Sequence, residues 1–391
     1  MPKCHIFNPE NDLALAHGDP CYTAPLLARR LRADLSAFPI WWANEDDSVL
    51  VENKDDCNQW LESLPIQPLC RNFASLKNLR RETSLEIAPW GWSHALCRWL
   101  ERAVISEDRL PPELNVDYLR TLSHRSISID IHTHLRSLVH DNLIPEECCT
   151  LSEVSDFVRH YGDAFIKSPW SSSGQGVFRV TNDNFLNFYT RIERILEKQR
   201  SVMCERALEP ILDFAVEFLS DGSGNVKFAG YSVFGNDATG SYDYGLVAST
   251  EILRSVIDSE LGDSHRLDDV IASLEDFLSK KMGLVRKGWL GVDMMVYRGE
   301  DGSPRLNPCI ELNLRTTMGA AASVIGNRYL LPGKVGKMYV RYYKRRDQLD
   351  SAVAAFAGTP PIIENGMLAG GVLPLVPVTS TSQYFAYLEV D

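Results

Sequence analysis

No C-x-x-C pair occurs among the nine cysteines of this chain, and only Cys148 and Cys149 are neighbours. That spacing supports neither a disulfide framework nor a zinc ribbon. Free thiols in an odd-numbered set point to a reducing, cytoplasmic setting. A basic excess is also missing: 40 Lys and Arg stand against 52 Asp and Glu, for a net charge of −12. This argues against broad nucleic-acid binding, which needs a basic face, but not against an anionic small ligand met by a few local cations. No stretch reaches the apolar length of a membrane span, and the N-terminus MPKCHIFNPEND lacks the apolar core of a signal peptide. Internal repeats and low-complexity tracts are lacking too. So are G-x-x-x-x-G-K-[ST] and H-E-x-x-H, and GYSVFG at 230–235 misses G-x-S-x-G by one residue.

What is present is a chain of 391 residues with 45% hydrophobic content, enough for two to three packed domains. Residues 3–8, 38–43 and 87–92 read as short strands, with helices near 24–35, where apolar and basic residues interleave, and at 93–104. Strands alternating with helices predict a parallel α/β sheet. Ligands of such sheets gather beyond the C-terminal strand ends, where Asn8, Asn11 and Asp12 lie; turn and helix capping by the same residues fits equally. The Pro-rich segment 108–115 reads as a linker. A helix follows through Ile131, Leu135 and Val139. Its His132 and His134 are two residues apart and point to different sides, which suits structural roles better than a shared ion.

Residues 164–180, AFIKSPWSSSGQGVFRV, form a short apolar strand that delivers Lys167, a break at Pro169, a Ser/Gly run, and a second strand. Two readings fit: a lid whose small residues let backbone N–H groups approach phosphates beside a lysine charge, or an ordinary Ser/Gly hairpin. Beyond it come a helix at 183–198 and strands at 202–205 and 213–219, separated by a break at Pro210. In the second, Phe214, Val216 and Phe218 alternate with Asp213, Ala215 and Glu217, a half-buried pattern with Asp213 on its polar face. A strand at 227–234, a polar loop at 235–245 and a helix at 264–281 follow.

The stretch 289–319 holds two strands joined by a Gly/Asp/Pro turn, so they should pair antiparallel. In the second, Glu311, Asn313 and Arg315 face away from Ile310, Leu312 and Leu314 by the period-2 rule. Asp293, on the partner strand, sits among apolar neighbours, where an unpartnered carboxylate is costly. Three oxygen ligands on paired strands suit Mg²⁺, with a polar sheet face as the plainer alternative.

Together these stretches resemble the ATP-grasp superfamily. Arg125, Lys167, the loop at 171–176, the hinge at 205–208, Asp293 and Glu311-Leu-Asn313 occur in the family's order, over roughly residues 115–330. The resemblance implies an α/β and α+β architecture: a small parallel-sheet domain at 1–107, the linker at 108–115, grasp subdomains at 116–200 and 201–345, and a C-terminal extension at 346–391 whose strands should join an existing sheet. It implies ATP and Mg²⁺ (or Mn²⁺) as cofactors. Lys167, Arg125 and the lid residues Ser172, Ser173, Gly174, Gln175 and Gly176 would meet phosphates. Glu205, Arg206, Ala207 and Leu208 would hold adenine, and Asp213 the ribose. Asp293, Glu311 and Asn313 would hold the metal.

Two departures stand out. D-alanine–D-alanine ligase has an arginine two residues before its metal aspartate, and here that position is Gly291. Arg315 resembles instead the arginine of the carbamoyl-phosphate synthetase type and would act catalytically with Lys167, on an acyl phosphate or tetrahedral intermediate. The implied activity is a carboxylate–amine or carboxylate–thiol ligase, with a kinase or a non-catalytic ATP-binding module as alternatives. The partners are a small-molecule or peptide carboxylate and a nucleophile, with no nucleic acid or membrane. A homodimer stays open. Acceptor contacts are expected from Asn8, Asn11, Asp12, Tyr22 and Thr23, and from the loop that carries Tyr242.

Overall fold

A computed structural model describes residues 1–171, 176–236 and 242–391. Among the described residues the strands form three sheets. The first is parallel, in the order β3-β2-β1-β4, from β1 (Lys3–Ile6), β2 (Ser48–Leu50), β3 (Phe73–Ala74) and β4 (Glu86–Pro89). Residues 38–43 are not a strand. Phe38–Trp41 is a 3-10 helix with Pro39 in its first turn, and all four residues are buried. Proline has no N–H to give to a ladder and sits readily in a first helical turn, so an apolar run containing it packs as a core turn.

The second sheet, in the order β5-β8-β6-β7, is antiparallel: β5 (Glu146–Cys148), β6 (Asp163–Lys167), β7 (Val177–Thr181) and β8 (Val202–Arg206). Helices Leu151–Tyr161 and Phe185–Gln199 cover it through Val154, Phe157, Val158 and Ile192. Helix Glu113–Leu122 begins inside the segment read as a linker, and Ile127–His134 follows it.

The third sheet has nine strands in the order β13-β12-β9-β10-β11-β14-β17-β16-β15. They are β9 (Glu209–Asp221), β10 (Val226–Asn236), β11 (Tyr242–Val247), β12 (Lys287–Arg298), β13 (Pro304–Asn313), β14 (Gly336–Tyr342), β15 (Ile362–Glu364), β16 (Met367–Pro374) and β17 (Tyr384–Val390). The last strands do join this sheet, β17 pairing with β14 and β16 with β17. Pro210 lies inside β9 rather than between two strands. The register with β12 shifts there, between Val296 and Tyr297, and an irregular step of that kind tolerates a missing donor.

Period-2 alternation divides β9, β12 and β13 into two faces. Phe214, Val216, Phe218, Val292, Met294 and Leu312 are buried in one core with residues of helices Thr250–Leu261 and Ser264–Met282. Asp213, Glu217, Gly291, Asp293, Glu311 and Asn313 take the opposite face. The polar face is not simply solvated, since Glu217 is only 1% exposed.

Candidate active site

The face is built by register. Asp293 stands directly opposite Glu311, and Gly291 lies between Asn313 on one side and Glu217 on the other. Carboxylates directly opposite on neighbouring strands repel. Burial, reinforced by the Glu311 charge, pushes the Asp293 carboxyl up to about 7, against Arg315 and against the hydrogen bond from Asn313. That bond runs from Nδ2 of Asn313 to Oδ2 of Asp293 at 3.1 Å. Two carboxylates and an amide oxygen crowded on adjacent strands fit a hard divalent cation, whose charge relieves this repulsion. His132 and His134 stay apart from it. His132 contacts the Cys309 carbonyl at 2.9 Å and His134 that of Ser273 at 3.2 Å.

Two cations, Arg125 and Arg315, border the face, and a third, Lys167, stands on the second sheet. Arg125, in the turn between helices Glu113–Leu122 and Ile127–His134, is 7% exposed. It donates to Oε2 of Glu311 at 2.7 Å, to the Ser168 carbonyl at 3.0 Å and to Oγ of Ser171 at 2.7 Å. One guanidinium thereby ties the metal-type carboxylate to the start of the Ser/Gly loop. Burial works against its charge, but Glu311, together with Glu205 and Asp12, more than offsets this and holds it ionised. Lys167, at the end of β6, is buried and forms an ion pair with Glu205 of β8. Arg315 donates through Nε to both oxygens of Asp12, at 2.8 and 3.0 Å. Burial raises the Asp12 carboxyl and Arg315 opposes the rise.

The loop is anchored at both described ends. Ser168 N–H donates to the Gly176 carbonyl at 2.8 Å. Gly176 has φ +89°, and a Cβ there would stand 2.7 Å from Oγ of Ser168, so this corner requires glycine. Trp170 lies under the Arg120 guanidinium at 4.3 Å. Ser172, Ser173, Gly174 and Gln175 lie outside the described residues.

The remaining expected residues fall as follows. Glu205, Arg206 and Leu208 line a narrow cleft with His132, Ile144 and Asn307, while Ala207 N–H bonds the Asp163 carbonyl at 3.1 Å. Asp213, on the metal-type face, accepts from Asn236 at 2.8 Å and is raised by burial. Asn11 and Asp12 line a cleft together with Ser171, Trp170, Glu311 and Asn313, so the first sheet's β1 end does meet the metal-type face. Asn8 is buried and tethers the Gly91 carbonyl at 2.8 Å. Tyr242 packs on Phe234, and its hydroxyl is buried without a hydrogen-bond partner among the described residues.

Glu217 belongs to this site and is absent from the sequence-based set. Its Oε1 accepts from Oγ1 of Thr317 at 2.8 Å, and its Oε2 is buried with no partner among the described residues. Burial pushes the carboxyl up to about 8, against the Thr317 bond, and Asp293 adds to the rise. Two glycines make room for it. A Cβ on Gly291 would lie 2.8 Å from Oε2, and one on Gly319 would lie 2.3 Å from Oε1. Glu217 therefore fills the space that a side chain at 291 would need. The available signal is a carboxylate in the alternating strand 213–219 opposite a glycine.

These sheets, with the cleft between them, are the ATP-grasp fold. The chain is similar over its whole length to biotin carboxylase from Campylobacter jejuni, solved as a β,γ-ATP complex (10% identity, 88% of that chain, TM-score 0.56). It is likewise similar to N5-carboxyaminoimidazole synthetase from Staphylococcus aureus complexed with ADP (10% identity, 100% of this chain and 93% of that one, TM-score 0.51). A third likeness is to the biotin carboxylase domain of Hydrogenobacter thermophilus 2-oxoglutarate carboxylase (12% identity, 99% and 86% coverage, TM-score 0.50). No family model matches the sequence, and neither does any curated protein. Among the described residues no helix is long and apolar enough to cross a membrane.

Proposed function

We propose that the protein is an ATP- and Mg²⁺-dependent ligase that activates a carboxylate as an acyl phosphate for attack by an amine or thiol, releasing ADP and phosphate. The observation that carries this reading is the oxygen-donor set Asp293, Glu311 and Asn313 on one sheet face, with Arg125 bound to Glu311, Arg315 two residues beyond Asn313, and Lys167 at the end of a strand of the second sheet. The fold's solved counterparts, crystallised with ADP or as an ATP complex, support nucleotide use. Asp293, Glu311 and Asn313 would hold Mg²⁺, which supplies charge neutralisation at the phosphates when bound.

The chain's own residues do the positioning. Lys167 and Arg125 hold phosphate oxygens, Glu205, Arg206, Ala207 and Leu208 flank the base, and Asp213 takes the ribose hydroxyls. A substrate carboxylate oxygen bonds to the γ-phosphorus as the bond to ADP breaks. The nucleophile then attacks the carbonyl carbon and phosphate leaves, while Arg315 stabilises the oxyanion. Such chemistry needs no serine or cysteine nucleophile.

A hydroxylamine trap tests it. Protein, MgATP and hydroxylamine are incubated with a panel of carboxylic acids, and ADP and hydroxamate are read together. The expected result is hydroxamate from one acid class, lost in Lys167→Ala and Glu311→Ala. ADP accompanied by a stable phosphorylated product and no hydroxamate would overturn it in favour of a kinase.

A further inference from the structure

A cavity of about 370 Å³ opens beyond the C-terminal ends of β1, β2 and β4, where Asn8, Glu52 and Ser93 contribute to its wall. This is the crevice in which parallel sheets collect ligands. Two helices bring four guanidinium groups to it. Arg29 and Arg32 come from Leu26–Asp34, and Arg98 and Arg102 from His94–Arg102. Their i,i+3 and i,i+4 spacings put each pair on one helical face. Two carboxylates, Glu10 and Glu52, line the same cavity, so positive charge exceeds negative there in a chain whose net charge is −12.

The four arginines are unequally engaged. Arg32 is bound to Glu10 at 3.0 Å and stacks on Trp99 at 4.6 Å, which fixes it as part of the wall. Among the described residues the Arg98 guanidinium has only the neighbouring Glu101 at 3.0 Å, in an exposed i,i+3 pair. Among the described residues the Arg102 guanidinium has only a long contact of 3.7 Å to Sγ of Cys21. The Arg29 guanidinium makes no hydrogen bond or ion pair among the described residues. Guanidinium forks of this kind match the oxygens of a carboxylate or phosphate, and exposed like charges facing one cavity are unfavourable without a counter-ion. Asn11 lines this cavity and also the cleft that holds Asp12, Glu311 and Asn313. The two spaces share a wall.

We infer that the arginine cavity seats a second anionic group of the substrate: the acid that is activated carries, away from its reacting carboxylate, a phosphate or a further carboxylate held by Arg29, Arg98 and Arg102. This rests on the ligase reading above and adds the substrate class to it.

The test is calorimetric titration of the full chain, in the presence of MgADP, with O-phosphoserine, serine, glutarate and butyrate. O-phosphoserine or glutarate should bind at least tenfold tighter than its partner lacking the extra charge. The double variant Arg29→Gln/Arg98→Gln should lose at least tenfold of that affinity, while its MgADP affinity stays within twofold. A preference for O-phosphoserine assigns a phosphate ester, and a preference for glutarate assigns a dicarboxylate. As a second readout, the bound anion should protect Arg29 and Arg98 of the wild type from phenylglyoxal, mapped by mass spectrometry. Equal binding of charged and uncharged partners, or an unchanged double variant, overturns the inference while MgADP binding leaves the ligase reading standing. Failure of the wild type to bind MgADP overturns the ligase reading itself, and the assignment to substrate with it.

Discussion

Replacing Glu217 by glutamine should make the protein more resistant to alkaline pH, and the size of the effect follows from its surroundings. The carboxyl is 1% exposed, has one hydrogen bond through Oε1 and none through Oε2 among the described residues, and stands at about 8 rather than its ordinary 4.5. A folded-state value above the unfolded one means that the native protein holds a proton the unfolded chain releases. The cost of folding with this group is therefore absent below about pH 4.5, grows as pH rises, and levels off above about pH 8. At 1.36 kcal/mol per unit the full effect is about 4–5 kcal/mol, of which about 3 kcal/mol develops between about pH 5.5 and pH 8. Glutamine is the neutral isostere: its Oε1 still accepts from Thr317, and it has no charge to bury. Urea unfolding of both proteins in EDTA, followed by far-UV dichroism, gives the difference at each pH. The variant should gain about 3 kcal/mol on the wild type across that range. Parallel stability curves would refute the assignment of a protonated, buried Glu217.

Three further outcomes follow from the same face. Gly291→Ala places a Cβ 2.8 Å from Oε2 of Glu217 and 3.1 Å from Cγ2 of Thr317; it should destabilise by about 1–3 kcal/mol in urea unfolding, with relief in the double variant Gly291→Ala/Glu217→Ala. Asp12→Asn leaves Arg315 without its carboxylate and should cost about 3 kcal/mol, so an unchanged midpoint would show that the pair is not a tie between the first and third sheets. Asp293, standing at about 7, must lose its proton to bind a cation. Mg²⁺ affinity, read from the rise in Tm with added Mg²⁺, should fall roughly tenfold per pH unit below about pH 7. A profile flat between about pH 6 and pH 8 would contradict this.

Much of this site is legible in the sequence, for identifiable reasons. Asp293, Glu311 and Asn313 can be paired because two alternating runs flank one turn, and alternation fixes which side chains share a face. Lys167 can be placed because a short apolar run ending at Pro169 allows few alternatives to a strand. The run 38–43 misleads because its apolar content resembles a strand, while the single proline within it decides against a ladder. Glu217 is hidden for a different reason. Its alternation with Val216 and Phe218 is ordinary for a strand, since Phe214, Val216 and Phe218 read the same whether the opposite face is wet or dry. The approach of Gly291, Thr317 and Gly319 makes that face dry at Glu217, and Thr317 lies 100 positions further along the chain. The arginines at 29, 32, 98 and 102 resemble two ordinary solvated helix faces until the parallel sheet sets those helices across one cavity.

The most direct test of nucleotide-dependent chemistry at this face is equilibrium binding of ATP to the full chain with and without Mg²⁺, in the wild type, Lys167→Ala and Glu311→Gln. Binding should require Mg²⁺ and weaken at least tenfold in both variants. Absence of ATP binding by the wild type, or binding indifferent to Mg²⁺, Lys167 and Glu311, would contradict it.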